Sequence, residues 1–150
     1  MSGRVVEINI AAEHDLPCVP HERIEVLAGQ GVVGDRHFLA QPAQRHGNDL
    51  TVVDRAQVEA FVAESGIPLT ALETRRNVVT EGIDVNDLVG KRFRVGSVEA
   101  VGIELCEPCN HLQSLTRPGV LRGMVHRAGL SADVLVSGAI AVGDELVVLD

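Results

Sequence analysis

Alternation of apolar and polar residues, which is typical of half-buried β-strands, recurs along most of the chain. It is clearest at residues 4–10 and 98–105. The turn Gly96-Ser97 precedes the second of these segments and predicts a β-hairpin with residues 91–95. Shorter segments, most of them bounded by glycine or charged residues, predict further strands at residues 24–27, 50–53, 75–80, 132–136, 139–142 and 145–149.

Two segments carry helix signals instead. Asp54, with Gln57 three residues later, has the form of a capping box and predicts a helix over residues 55–65. Pro118 favours the start of a second helix, and Gly129 follows its expected end. The residues of this second helix that we expect to face inward are Leu121, Met124 and Val125. Eight or nine short strands with two or three helices predict a mainly β domain, built as a barrel-like curled sheet.

Composition narrows the possible functions. Hydrophobic residues make up 45% of the 150 residues, enough for a core, and we expect residues 1–150 to form one domain. The formal charge of −8 argues against nucleic acid or anionic membranes as partners, and three Phe with no Trp or Tyr leave little surface for base stacking. No apolar segment approaches the roughly 20 residues of a membrane span. We therefore expect a cytoplasmic protein.

Two of only three cysteines flank a turn at the end of a predicted strand. Cys106 and Cys109 are two residues apart, with Pro108 between them and His111 just after. An odd number of cysteines without a small disulfide framework fits a reducing compartment, where thiols serve chemistry, metal binding or packing. The sequence alone leaves these three roles open.

A glycine-rich segment gives a second candidate site. Gly29, Gly31 and Gly34 satisfy the dinucleotide-binding pattern G-x-G-x-x-G. No helical periodicity follows them, however, and Pro42 interrupts the segment, so we exclude that interpretation. Glycines in this density instead indicate a backbone that turns tightly or approaches a ligand.

Five ordered blocks resemble the MOSC domain, the module found at the C-terminus of molybdenum cofactor sulfurases. The resemblance spans about residues 5–147. We expect the domain to stand alone, with neither a desulfurase domain nor a separate N-terminal β-barrel. It implies a β-barrel similar to that of pyruvate kinase. The blocks are Gly31-Val32-Val33-Gly34-Asp35-Arg36-His37, Arg75-Arg76-Asn77-Val78-Val79-Thr80-Glu81-Gly82, Gly90-Lys91-Arg92-Phe93-Arg94-Val95-Gly96, Leu105-Cys106-Glu107-Pro108-Cys109 and Val142-Gly143-Asp144.

The resemblance also implies a pocket with one key cysteine, which Cys109 matches because it follows Pro108. In relatives of this kind the thiolate either ligates the molybdenum of a pyranopterin cofactor or carries sulfur as a persulfide. Both roles require a deprotonated sulfur. The residues that we expect to hold a small anionic ligand or cofactor beside it are Gly34, Asp35, Arg36, His37, Arg75, Arg76, Asn77, Cys106 and His111.

The same resemblance implies a cysteine desulfurase or a molybdoenzyme as partner. The residues near the cysteines, including Glu107, do not identify a general acid and base pair for catalysis. The sequence therefore does not decide between a molybdenum-dependent oxidoreductase and a sulfur-transfer protein.

Simpler interpretations stand beside these. Cys106 could serve packing, Asp35 and Arg36 could form a buried ion pair, and Arg75-Arg76 could be a solvated face. A structural zinc site of an interaction module is a sharper alternative, with two half-sites formed by Cys18, His21, Cys106 and Cys109. A dithiol redox switch at Cys106 and Cys109 is another, although the thioredoxin-like context is missing.

Overall fold

The computed structural model describes residues 2–44 and 47–150. His46, to which the sequence assigns no role, lies outside the described residues. No helix in the described ranges is long and apolar enough to cross a membrane. The strands are β1 (Ser2–Ile10), β2 (Val19–Pro20), β3 (Arg23–Leu27), β4 (Gly31–Val32), β5 (Leu50–Asp54), β6 (Val78–Glu81), β7 (Arg92–Val95), β8 (Val98–Leu105), β9 (Leu130–Val136), β10 (Gly138–Ala141) and β11 (Glu145–Val148). The helices are α1 (Arg55–Ser65), α2 (Asn110–Leu115) and α3 (Val120–Gly123), with 3-10 turns at Leu72–Thr74 and Val85–Leu88.

Seven strands close into a barrel. They follow the order β11-β7-β8-β9-β5-β6-β1, and β1 pairs back with β11. The β5–β6 pair is parallel and the other six are antiparallel, so the barrel is mixed. Helix α1 lies in the crossover that a parallel pair requires. Strands β10, β3 and β4 form a separate three-stranded sheet. These features confirm the predicted mainly β, barrel-like fold.

Two apolar clusters organise the packing. The larger consists mainly of Val, Ile and Leu from the strands and from the 3-10 turn Val85–Leu88, with Phe93, as the scarcity of aromatic residues predicts. The smaller joins residues from β5, β6, α1, α2 and α3, including Phe61, Leu112 and Met124. Leu112 is 5% exposed and anchors α2 in this second cluster. The cysteine turn that precedes α2 is therefore tied to the outer wall of the barrel.

Helix α1 has the predicted bounds because its end signals are local. The Asp54 carboxylate accepts a hydrogen bond from the backbone N–H of Ala56 at 3.0 Å, which satisfies one of the free donors of the first turn. Gly66 ends the helix in the left-handed conformation at φ 71°.

The helix predicted after Pro118 is present but shorter than expected. Two short helices flank this residue, and Gly119 lies between them with φ 96°. The side-chain carbonyl of Gln113 accepts from the N–H groups of Gly119 and Leu121 at 3.1 and 3.0 Å, and so satisfies free donors at the start of α3. Met124 is buried as expected, but Val125 is 47% exposed.

The strand predicted at residues 75–80 begins later. Arg75 ends the 3-10 turn Leu72–Thr74 in the left-handed conformation, with φ 66°, and β6 starts only at Val78. The prediction failed because the apolar pattern did not reveal that the two arginines belong to the preceding turn.

Gly129 sets the close approach of β9 to β5. Its φ is 97°, and an added Cβ would collide with the carbonyl group of Val52. We expect Gly129→Ala to lower the free energy of unfolding by about 3 kcal/mol, because strain and overlap combine. Gly143→Ala is the matched control, since Gly143 has φ 96° and no neighbour within 4 Å of the added atom. If urea unfolding shows that both variants lose the same free energy of unfolding, the predicted overlap with Val52 is contradicted.

Candidate functional site

The cysteine turn connects β8 to α2. Cys109 is the residue that caps α2, and its Sγ accepts a hydrogen bond from the backbone N–H of Leu112 at 3.5 Å. Its side chain is exposed. The fold therefore presents this thiol to solvent from a fixed backbone position.

Cys106 lies in a different environment. Its N–H donates to the carbonyl oxygen of Gly129 at 2.8 Å, which fixes the start of the turn. Burial raises the pKa of the Cys106 thiol, although the nearby Arg76 guanidinium acts in the opposite direction. The two cysteines are chemically unequal, because Cys106 is held in its protonated, weakly nucleophilic form.

A cleft of about 160 Å³ opens beside Cys109. It is lined by residues from the turn before β6, the cysteine turn and α2, and the segments at residues 14 and 36–37. The sequence-predicted candidates that it brings together are Arg36, His37, Arg75, Arg76, Cys109 and His111. Residues separated by more than 70 positions thus meet at one end of the barrel.

Asp35 and Arg36 form an ion pair at the edge of the cleft. Arg36 Nη1 lies 3.3 Å from Asp35 Oδ1, and the two side chains are 11% and 2% exposed. The Asp35 carboxylate also accepts from the backbone N–H groups of Ala11 and His37 at 3.2 and 3.4 Å. Asp35 therefore anchors its loop to β1, while Arg36 extends toward the cleft and donates to the Arg75 carbonyl at 3.3 Å.

The two neighbouring arginines have different surroundings. Arg75 is 7% exposed, and its guanidinium donates to the carbonyl oxygens of Leu16 at 2.6 Å, His14 at 2.8 Å and Glu13 at 3.4 Å. Arg76 donates through Nε to the Ala128 carbonyl at 2.6 Å. Within residues 2–44 and 47–150, no hydrogen-bond partner is found for its two terminal nitrogens. Arg75 is a structural clamp, and Arg76 has the donors available for a ligand.

Gly34 and Asn77 are candidates that the structure places elsewhere. Gly34 lines a separate groove with Ile10 and Val33. The Asn77 amide is buried in the sheet, where its oxygen accepts from Thr51 and its nitrogen donates to the Asn9 carbonyl. Neither residue lines the cleft beside Cys109.

The structural zinc site predicted as an alternative is wrong. Cys18, His21, Cys106 and Cys109 form no metal-ligand group among the described residues. Cys18 is buried beside Arg75, where burial raises its pKa, and His21 Nδ1 lies 2.9 Å from the carbonyl of Val19. The sequence spacing suggested that the Cys18–His21 and Cys106–Cys109 half-sites could combine, but the fold does not bring them together. The dithiol alternative stays a prediction, with all three thiols free.

His14 is a residue of the cleft that sequence reasoning missed. Its ring stacks on that of His111, with centroids 3.9 Å apart and planes within 8°. No local pattern could identify this pair, because the two residues are 97 positions apart. Glu107 also lines the cleft, but its carboxylate accepts from the backbone N–H of His126 and pairs with that imidazole, both at 2.7 Å.

Thiol labelling should distinguish the cysteines. We expect iodoacetamide to modify Cys109 rapidly in the native protein, because it is exposed, and Cys18 and Cys106 only on unfolding or at high pH, because burial raises their pKa values. Peptide mapping after short exposures at several pH values measures this order. Equal native labelling of Cys106 and Cys109 at neutral pH would contradict it.

Comparisons with known proteins agree with this architecture. The family model of the MOSC domain matches residues 37–147, whereas no curated protein sequence matches the chain. The crystal structure of the YuaD protein from Bacillus subtilis has a TM-score of 0.81 and 18% identity, covering 99% of this chain and 96% of that one. YiiM from Geobacillus stearothermophilus has a TM-score of 0.75 and 17% identity, covering 99% of this chain and 75% of that one. YiiM from Escherichia coli has a TM-score of 0.69 and 16% identity, covering 100% of this chain and 70% of that one. At these low identities the structural likeness shows the fold alone. The family match over most of the chain shows that the protein belongs to the MOSC domain family.

Proposed function

We propose that this MOSC-domain protein carries sulfur as a persulfide on Cys109. The observation that supports the proposal is an exposed thiol beside a cleft that also contains Arg76. A sulfur carrier must accept its sulfur from one protein and deliver it to another, so its reactive thiol has to be accessible to both. Cys109 meets this requirement, whereas Cys18 is buried, Cys106 is half-buried, and burial raises the pKa of both thiols.

The loading step is a thiol–persulfide exchange. The Cys109 thiolate attacks the terminal sulfur of a persulfide on a donor protein, and a cysteine desulfurase is the donor class that we propose. A sulfur–sulfur bond forms at Cys109 as the donor's sulfur–sulfur bond breaks. The donor leaves as a thiolate, so no external oxidant or reductant is consumed. Delivery repeats the exchange with an acceptor thiolate or another nucleophile.

The cationic side of the cleft suits the product. A persulfide carries negative charge when ionised, and Arg76 can donate to it through nitrogens that have no partner among the described residues. Cys106 lies near Arg76 but is protonated, so it does not compete for this charge.

The molybdenum cofactor is the second possibility, because MOSC domains are generally associated with it. The donor set fits in part, since the Cys109 thiolate is a suitable molybdenum ligand and Arg76 could bind a phosphate. The cleft volume of about 160 Å³ does not fit, because sites that enclose small molecules begin at about 300 Å³. We therefore assign no reaction through this cofactor and propose the carrier role.

The proposal is tested by incubating the protein with a cysteine desulfurase and sulfur-labelled cysteine. We expect one labelled sulfur per chain, released by a thiol reductant. Molybdenum and pterin analysis of the protein as isolated runs in parallel. Stoichiometric cofactor together with no transferable sulfur would overturn the carrier role and favour the cofactor.

Arg76→Ala should slow sulfur loading about tenfold, because one charge-assisted contact to the anionic product is lost. The matched control is Arg122→Ala, an exposed arginine of α3 that does not line the cleft. Initial rates of labelled-sulfur uptake measure the effect. If both variants load at the wild-type rate, Arg76 has no role in holding the sulfur.

A further inference from the structure

We infer a binding site for a divalent transition-metal ion at His14, Asp15 and His111, on the rim of the cleft. Each residue offers one ligand atom, and the three atoms lie within 4.8 Å of one another. Among the residues that the structure describes, this is the only such group. The inference goes beyond persulfide carriage and does not depend on it.

The spacing of His111 and Asp15 is close to that of two ligands in a formed site. His111 Nε2 lies 3.6 Å from Asp15 Oδ1. Two nitrogen or oxygen ligands at about 2.1 Å from a tetrahedral zinc ion are about 3.4 Å apart. The His14 and His111 rings stack nearly in parallel with centroids 3.9 Å apart, so one imidazole must rotate for both rings to direct a nitrogen at the same ion. On binding, His111 Nε2 would exchange its 3.2 Å contact with the His14 carbonyl for the metal.

Both sides of the site are positioned by other parts of the fold. The carbonyl oxygens of Glu13, His14 and Leu16, which flank Asp15, all accept hydrogen bonds from the Arg75 guanidinium. His111 lies in the first turn of α2, next to the buried Leu112. The backbone segments that hold the three ligands are thus fixed before a metal binds, which reduces the entropy cost of binding.

The donor set selects the class of metal. Two imidazoles with one carboxylate suit zinc, nickel or copper, whereas magnesium and calcium prefer oxygen ligands. Three protein ligands leave a fourth position open, which differs from a closed structural site. His14 and His111 line the same cleft as Cys109.

Equilibrium dialysis with Zn²⁺, and visible absorption with Co²⁺, test the site on the sulfur-free protein. We expect one ion per chain and affinity losses of at least about tenfold in His14→Ala, His111→Ala and Asp15→Asn. Asp15 has a side chain that is 84% exposed, so its variant should fold normally. His21→Ala and His126→Ala are matched controls, because both histidines lie outside the ligand group.

Cys109→Ser separates this site from the sulfur site. We expect the serine variant to bind Zn²⁺ with at least a third of the wild-type affinity, because the three ligands are intact. Absence of zinc binding in the wild type would overturn it, and so would unchanged affinity in both the His14 and His111 variants. Loss of binding in Cys109→Ser alone would also overturn it, by placing the metal on the thiol. Sulfur loading is measured separately with chelator present, so either proposal can fail without the other.

Discussion

Cys109→Ser is expected to abolish sulfur loading, with no labelled sulfur retained after incubation with a cysteine desulfurase and labelled cysteine. Serine keeps the size of the side chain and its capping position before α2, but its hydroxyl cannot attack a persulfide under these conditions. The variant should therefore fold like the wild type. Circular dichroism and thermal unfolding establish that its structure is unchanged.

Cys106→Ser and Cys18→Ser are the matched controls. Both thiols have pKa values raised by burial, so neither should contribute to loading, and each variant should retain most of the wild-type uptake. Loss of loading in Cys106→Ser at unchanged stability would contradict the distinction drawn between the two cysteines and would favour a dithiol mechanism instead.

Arg75→Ala should lower the free energy of unfolding by about 3 kcal/mol, the largest stability effect expected in the cleft. The substitution removes hydrogen bonds to three backbone carbonyls and leaves those oxygens without their donor. It also leaves a residue with a Cβ in the left-handed conformation without the contacts that hold it there. Urea unfolding measures the loss.

The neighbouring arginine provides the comparison. Arg76→Ala removes one hydrogen bond from a half-buried side chain, and we expect a loss of about 1 kcal/mol. Arg75→Lys should recover only part of the stability, because one ammonium cannot match the planar guanidinium. Equal destabilisation by the two alanine substitutions would show that Arg75 is not the clamp.

Much of the fold was predictable because its signals are local. The alternation in β1 and β8 and the cap and stop of α1 at Asp54 and Gly66 depend on neighbouring residues, and these predictions are confirmed. The helix predicted after Pro118 is shorter than expected, and no periodicity encodes the Gln113 side chain that caps its start. Local patterns do not report such contacts across a turn.

The site was harder to predict for the same reason. Cys109 followed from the family resemblance, but Arg75 and Arg76 are adjacent in sequence and nothing there separates the buried clamp from the residue with available donors. His14 gave no signal, since its partner His111 is 97 positions away. The zinc prediction shows the opposite error, in which a familiar spacing had no spatial counterpart.

The position of the transferred sulfur decides whether Cys109 is the residue that carries it. After loading of the wild-type protein, persulfides are trapped by alkylation and the chain is digested and mapped by mass spectrometry. We expect the mass of one additional sulfur atom on the peptide that contains Cys109, localised by fragmentation to that residue. Sulfur found on Cys106 or Cys18, or on no cysteine while the desulfurase turns over, would contradict the account.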